Sequence, residues 1–250
     1  MTFFVIYNIY MTLNSTKKGN VMSIDKIKKS YKEAMNCNTC FKNTEIIRGK
    51  VKRAQPRWIG ENYFNADRKI CVLLINPGDV GQKSKFLQQQ ASIEFENLIE
   101  GFHEGTVSWE EVMLFILKDM PNWGQGSKYI KLYFEHLKLP IKEIAFLNVM
   151  LCSANKLDPR GEPKNYYGQQ TMSQCFQLHT KGIMETLDPD ICILSGTAVW
   201  EFARRNNLES FFPNCEFKYI GHYAARGHDW NKAVDTAHVI SNELQLCPVG

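Results

Sequence analysis

The chain has 250 residues, 44% hydrophobic and 22% charged, with 30 basic against 26 acidic side chains for a net charge of +4. That composition excludes collagen, coiled coil and intrinsic disorder, and no apolar run approaches the ~20 residues a membrane-crossing helix needs. The mild positive excess permits a nucleic-acid partner without requiring one.

Thr2–Tyr10 is apolar, but no charged flank precedes it and no clean small-residue cleavage site follows. Residues 1–21 are expected to be an extension ahead of one domain spanning 22–250. Without a secretory signal, the eight cysteines belong to a reducing, cytoplasmic compartment, as thiols or metal ligands rather than disulfides.

Ser23 is positioned to cap a helix running to about Asn36, with Ile24, Ile27, Tyr31 and Met35 on one stripe. Cys37-x-x-Cys40 follows, then a basic stretch holding Arg48, Lys50, Lys52, Arg53, Arg57 and Arg68, broken by Pro56 and Gly60. Ile70–Ile75 is a continuous apolar run ending in Asn76-Pro77-Gly78, the pattern of a buried parallel strand feeding a loop. Ile144–Val149 and Ile191–Leu194 have the same character, and Phe217–Ile220 is a weaker fourth. Helical periodicity fills the gaps at Ile93–Phe102, Ser108–Leu117, Ser127–Leu137, Gln169–Leu187, Ala198–Asn206 and Asn231–Leu244. Ser108-x-x-Glu111 has capping-box spacing. Strands alternating with helices predict a three-layer α/β/α sandwich around a four-stranded parallel sheet.

Ligands of open parallel sheets bind beyond the carboxyl ends of the strands. The four strand candidates end at Asn76, Asn148, Ser195 and His222, all polar residues suited to chemistry. The chain has neither G-x-x-x-x-G-K-[ST] nor G-x-G-x-x-G, which sets P-loop and dinucleotide enzymes aside.

From about Ile27 to Ala225 the ordered motifs resemble the uracil-DNA glycosylase superfamily, nearest its iron–sulfur families. They are Cys37-x-x-Cys40, Ile75-Asn-Pro-Gly78, Leu147-Asn-Val-Met-Leu-Cys152, Cys175, Pro189-Asp-Ile-Cys-Ile-Leu-Ser-Gly196 with Ala198, and Gly221-His222. The Ile-Asn-Pro-Gly loop is similar to that of the mismatch-specific branch. The resemblance implies a monofunctional DNA glycosylase that acts as a monomer on DNA and leaves an abasic site. It also implies that Cys37, Cys40, Cys152 and Cys175 ligate a structural [4Fe–4S] cluster; four thiolates equally suit zinc, the competing occupant. Cys71 and Cys192 lie inside apolar strands and read as core.

By the same resemblance Asn76 positions the attacking water and His222 donates to the base O2 as charge builds there. Asn148 reads the flipped base along its Watson–Crick edge. Ser195 and Arg226 contact DNA, Arg226 standing where the family inserts a wedge residue. A neutral Asn76 is no general base, so its contribution is orientation. No lysine is placed for Schiff-base chemistry. The family's proline after the histidine is Tyr223 here, a departure that bears on the geometry of the loop; Gly78, which leaves the C5 side of a pyrimidine open, and the missing Gly-x-Pro-Phe segment bear on substrate. Phe86 stands in for the phenylalanine that stacks on the base. The expected substrate is uracil or a C5-modified pyrimidine, the hypermodified cytosines of phage genomes and a role in defence among the options. The competing class is a catalytically silent nucleic-acid-binding module, its stacking surface made by the basic stretch with Trp58, Tyr63 and Phe64.

Overall fold

The computed structural model describes residues 18–42, 45–77, 85–123 and 127–246. The first helix, α1, is Lys18–Met35. Ser23 therefore lies inside it rather than capping it, and residues 18–21 of the expected extension are helical. Ile27, Tyr31, Ala34 and Met35 are buried along one stripe, as a 3.6-residue period requires. After β1 (Ile46–Arg48) the chain passes through an irregular segment with one 3-10 turn at Tyr63–Asn65 to β2 (Ile70–Leu74), every residue of which is buried. Two helices follow: α2 (Lys85–Glu104) and α3 (Trp109–Asp119). The capping box forms at the start of α3, where Ser108 accepts from the Glu111 N–H and Glu111 accepts from the Ser108 N–H. The α4 helix opens at Lys128–Ile130 and widens into a π-helical Lys131–His136.

Strand β3 (Ile144–Asn148) is as fully buried as β2. A hairpin of β4 (Ala154–Leu157) and β5 (Pro163–Asn165) comes next. Gln169–Cys175, a π-helical Phe176–Thr180 and Lys181–Leu187 run on without a break as α5. The chain closes with β6 (Ile191–Ser195), α6 (Thr197–Arg205), α7 (Leu208–Phe211), β7 (Glu216–Ile220) and α8 (His228–Leu246).

The four expected strands form one parallel sheet in the order β3-β2-β6-β7. Leu74 pairs with Asn148 and Ser195 with Ile220, so all four carboxyl ends share one edge. Crossovers running in opposite directions from β2, with the right-handedness that is the rule for such connections, place the helices on both faces. Accordingly α1 packs on α5, and α8 packs on α4. The order reverses between β2 and β6, and that switch point opens the crevice where such sheets take ligands.

A second sheet, antiparallel and ordered β1-β4-β5, has no counterpart in the strands expected from sequence. Its strands are three or four residues long and mix polar with apolar residues, too short for an alternation signal. It fixes Cys37–Cys40, just before β1, close to Cys152, just before β4. The stretch before β2 is not the stacking surface expected of a binding module. Trp58 and Tyr63 are core residues at 3% and 0% exposure, and Phe64 packs against the core half-buried. The irregular segment lies against β3 instead, with the Phe146 N–H donating to the Trp58 carbonyl at 2.7 Å. No helix among the described residues is long and apolar enough to cross a membrane.

Candidate functional site

Three of the strand-end residues lie along the carboxyl edge of the sheet, around the point where its order reverses. Asn148 ends β3, and backbone bonds from Val149 and Met150 to the carbonyls of Leu74 and Ile75 lock that end onto the end of β2. Asn76 follows immediately. The Asn148 backbone is held from α5, whose Thr180 hydroxyl donates to the Asn148 and Val149 carbonyls at 3.2 and 3.0 Å. The Asn148 side chain is fully buried, yet neither its Oδ1 nor its Nδ2 has a partner among the described residues. The Asn76 Nδ2 is likewise buried and unpaired. An unpaired buried amide costs roughly 1–3 kcal/mol. Such groups in a native structure mark a strain reservoir, a catalytic or ligand-binding role, or the seat of an ordered water.

His222 enters from the loop after β7. Its Nδ1 accepts from the Ala224 N–H at 3.1 Å, which assigns the neutral ring's proton to Nε2. Burial pulls its pKa down to about 4, so around neutral pH the ring is an uncharged Nε2–H donor. The loop passes close to Gly196 at the end of β6. A Cβ on Gly196 would lie 3.1 Å from His222 Cβ and Cδ2, and Gly196 has a φ of +95°. Glycine meets both demands at once.

The loop has no proline after the histidine, and α4 supplies its stiffness instead. Lys128 Nζ donates to the Ala225 carbonyl at 2.6 Å and lies 4.6 Å from the Trp230 ring centre. Tyr223 stacks beside His222 at 4.3 Å and meets the Tyr129 ring at 5.0 Å. Behind these rings Arg57 is buried, its guanidinium 4.6 Å from the Trp123 ring centre. The Trp123 indole in turn donates to Asp119 at 2.7 Å. No sequence signal marks Lys128 or Thr180, because each acts through a contact distant in the chain; Tyr223 shows in the sequence only as the residue in place of the proline.

The other expected site residues fare differently. Arg226 is exposed, four residues beyond His222 in the same loop. Ser195 is a correction. It is wholly buried, and its hydroxyl is 2.5 Å from that of Tyr133. A hydroxyl engaged in the core does not reach a phosphate; Ser195 braces the sheet end against α4. Gly78 lies outside the described residues, as does the Phe86 side chain.

Cys37, Cys40, Cys152 and Cys175 all line one small cavity, with Ala34, Phe41, Met150 and His179 among its other walls. Burial raises the Cys40 thiol, lifts Cys152 to about 12 and raises Cys175 further, with the thiols adding to one another's effect. The Leu151 N–H points at the Cys175 sulfur at 3.4 Å. The Arg48 guanidinium donates to the Cys37 carbonyl at 3.1 Å and opposes the rise at Cys40 and Cys152. The His179 Nε2 is buried without a partner. Among the described residues no group of three or more His, Cys, Asp or Glu side chains closes on a single metal ion. The donor set itself is four soft thiols, a backbone donor and a nearby cation in apolar surroundings. That suits a thiolate-bound group, whose negative charge the N–H and the guanidinium would offset.

No family model matches the chain, and no curated protein matches it. Among solved structures 23 chains match. One is a crystal structure of wild-type SMUG2 from Pedobacter heparinus, 15% identical, with a TM-score of 0.44, covering 97% of each chain.

Proposed function

We propose that this protein is a monofunctional DNA glycosylase of the uracil-DNA glycosylase type, hydrolysing the N-glycosidic bond of an extruded pyrimidine nucleotide. The observation that carries the reading is the amide of Asn148, buried at the carboxyl edge of the sheet without a partner among the described residues, with Asn76 and the His222 Nε2–H following strand ends on the same edge. A flipped base is read by hydrogen bonds to its Watson–Crick edge. The Asn148 amide offers one donor and one acceptor side: its Nδ2 fits O4 and its Oδ1 fits N3–H of uracil, and turned over it fits the N4-amino/N3 edge of cytosine.

In the proposed reaction the Asn76 carbonyl accepts from a water and aims it at C1′. The C1′–N bond breaks as the water oxygen bonds to C1′, and the bonding pair leaves with the base. His222 donates Nε2–H to the base O2, where that charge gathers. A neutral donor avoids giving its proton away, and preorganised donors of this kind are worth about 10²–10³ in rate. The water's proton passes to solvent, since Asn76 is no base. We assign uracil or a C5-modified pyrimidine as the base, the phage-defence role being the reading that goes with a modified cytosine. Arg226, exposed on the same loop, is the residue proposed to hold the opened duplex. The proposed setting is the cell interior, with DNA as partner and a monomer as the working unit.

Cys37, Cys40, Cys152 and Cys175 are the proposed ligands of a structural [4Fe–4S] cluster, with zinc as the alternative. When bound, the group would supply cross-linking of α1, the start of β4 and α5, not base chemistry.

The test is base release, read as alkali-labile abasic sites, from DNAs carrying uracil, thymine mismatches, 5-hydroxymethylcytosine or glucosylated cytosine. Release at uracil alone makes it a repair enzyme, and release confined to modified cytosines makes it a defence enzyme. Binding without release from any substrate overturns the enzymatic reading in favour of a binding module.

A further inference from the structure

Outside the Asn76–Asn148–His222 site, one surface pocket combines flat groups with polar ones. It has a volume of about 160 Å³ and lies between α6, α7 and β7, with Trp200, Arg204, Asn207, Glu209 and Tyr219 among its walls. A cavity of about 150 Å³ is enough to take a benzene-sized ring. Trp200 and Tyr219 are 39% and 42% exposed, high for aromatics within regular elements. Their ring centres are 6.1 Å apart, and the Arg204 guanidinium lies 5.0 Å from the Trp200 ring centre. The Thr197 and Tyr219 hydroxyls, 3.3 Å apart, tie the start of α6 to β7.

The pocket adjoins the candidate site along the chain on both sides. Thr197 follows Gly196, and Tyr219 precedes His222 by three residues. Tyr219 is paired with Leu194 one step before the sheet edge. β7 is the outer strand of the sheet, and the pocket lies where α6 and α7 meet its Phe217 and Tyr219.

We propose that this pocket binds an unpaired nucleobase of the strand that carries the target, a neighbour of the extruded nucleotide; this rests on the protein being a DNA glycosylase. Aromatic rings and guanidinium planes are the groups on which unpaired bases stack. Asn207 and Glu209 supply donors and acceptors for a base edge, Glu209 accepting from an exocyclic amino group. That carboxylate makes the base, not the phosphate, the fitting occupant of the pocket itself. Arg204 serves the base by stacking and the adjoining backbone by charge. A site of this kind favours targets in single-stranded or opened DNA over an intact duplex, because only there is a neighbouring base free to leave its stack.

The experiment uses the whole protein and single-stranded oligonucleotides carrying a pyrimidine target and 5-iodouracil at successive flanking positions. Near-ultraviolet irradiation followed by peptide mapping should place a cross-link on Trp200 or Tyr219 from one flanking position. Trp200→Ala should weaken single-strand binding between about fivefold and a hundredfold, from stacking worth ~1–3 kcal/mol. Arg204→Gln should lower the slope of log affinity against log salt by about 0.7. Cross-links confined to other segments, with both variants binding as the parent does, overturn the proposal whatever happens to base release. A cross-link at the pocket in a protein that releases no base leaves this binding site standing and removes the glycosylase reading instead.

Discussion

Replacing Asn148 by leucine separates the two things this residue does. Its amide is fully buried, with neither polar atom partnered by a described residue, and a group left unmet in such a place costs roughly 1–3 kcal/mol. Leucine is close in shape, removes both groups and adds apolar burial, against an overpacking cost of about 1–3 kcal/mol. The net expectation is a stabilisation of about 1–2 kcal/mol, a rise in Tm of roughly 2–8 °C for a chain of this size. Base release should fall by at least about a hundredfold, because the flipped base then meets no donor and no acceptor. The assay is urea unfolding monitored by circular dichroism, with abasic-site formation measured on the same preparations. A variant that loses activity and loses 2 kcal/mol or more of stability, by about the amount a broken hydrogen bond costs, refutes the reasoning: the amide would then be satisfied in the free protein. Asn148→Asp distinguishes further, since a carboxylate keeps an acceptor and loses the donor.

Four other outcomes follow from the geometry. The folded His222 pKa of about 4 lies below the ~6.5 of an unfolded histidine, so between these values the unfolded chain binds more protons. Stability therefore rises with pH across that window and is lost as pH falls from about 6.5 through about 4, by up to about 3 kcal/mol. His222→Gln should abolish that increment, and an imidazole that titrates near 6.5 by NMR contradicts it. Lys128→Met keeps the packing stem but frees the His222 loop, and should cut kcat about tenfold with KM little changed. Lys128→Arg should restore part of the rate, and equal rates in all three proteins remove Lys128 as a positioning residue. Gly196→Ala forces a side chain into a φ of +95° against His222, costing about 1–2 kcal/mol and several degrees of Tm in thermal denaturation. Cys175→Ser should remove bound iron, acid-labile sulfide and visible absorbance together; bound zinc without sulfide in the parent protein assigns the site to zinc instead.

Much of the fold was legible because buried parallel strands leave a plain mark. Ile70–Leu74, Ile144–Leu147 and Ile191–Leu194 are continuous apolar runs, which only a sheet covered on both faces can use. Ser108 and Glu111 announced a helix start by local hydrogen bonding alone. Where the fragments were short or polar the signal failed: β1, β4 and β5 owe their pairing to one another rather than to their own periodicity. The start of α1 was missed for a related reason. A local cap rule placed it at Ser23, whereas the helix continues back to Lys18.

By itself the sequence determined that Asn76, Asn148 and His222 would stand at strand ends, since strand boundaries follow from local hydrophobicity and turn chemistry. Tertiary structure decided what each could do there. Burial of Asn148 without a partner, the proton on His222 Nε2, the hold of Lys128 on the loop and the engagement of Ser195 by Tyr133 all depend on contacts between residues far apart in the chain. Polarity is a property of a residue, legible one letter at a time. Whether a polar atom is satisfied is a property of its neighbours, and those exist only once the chain has folded.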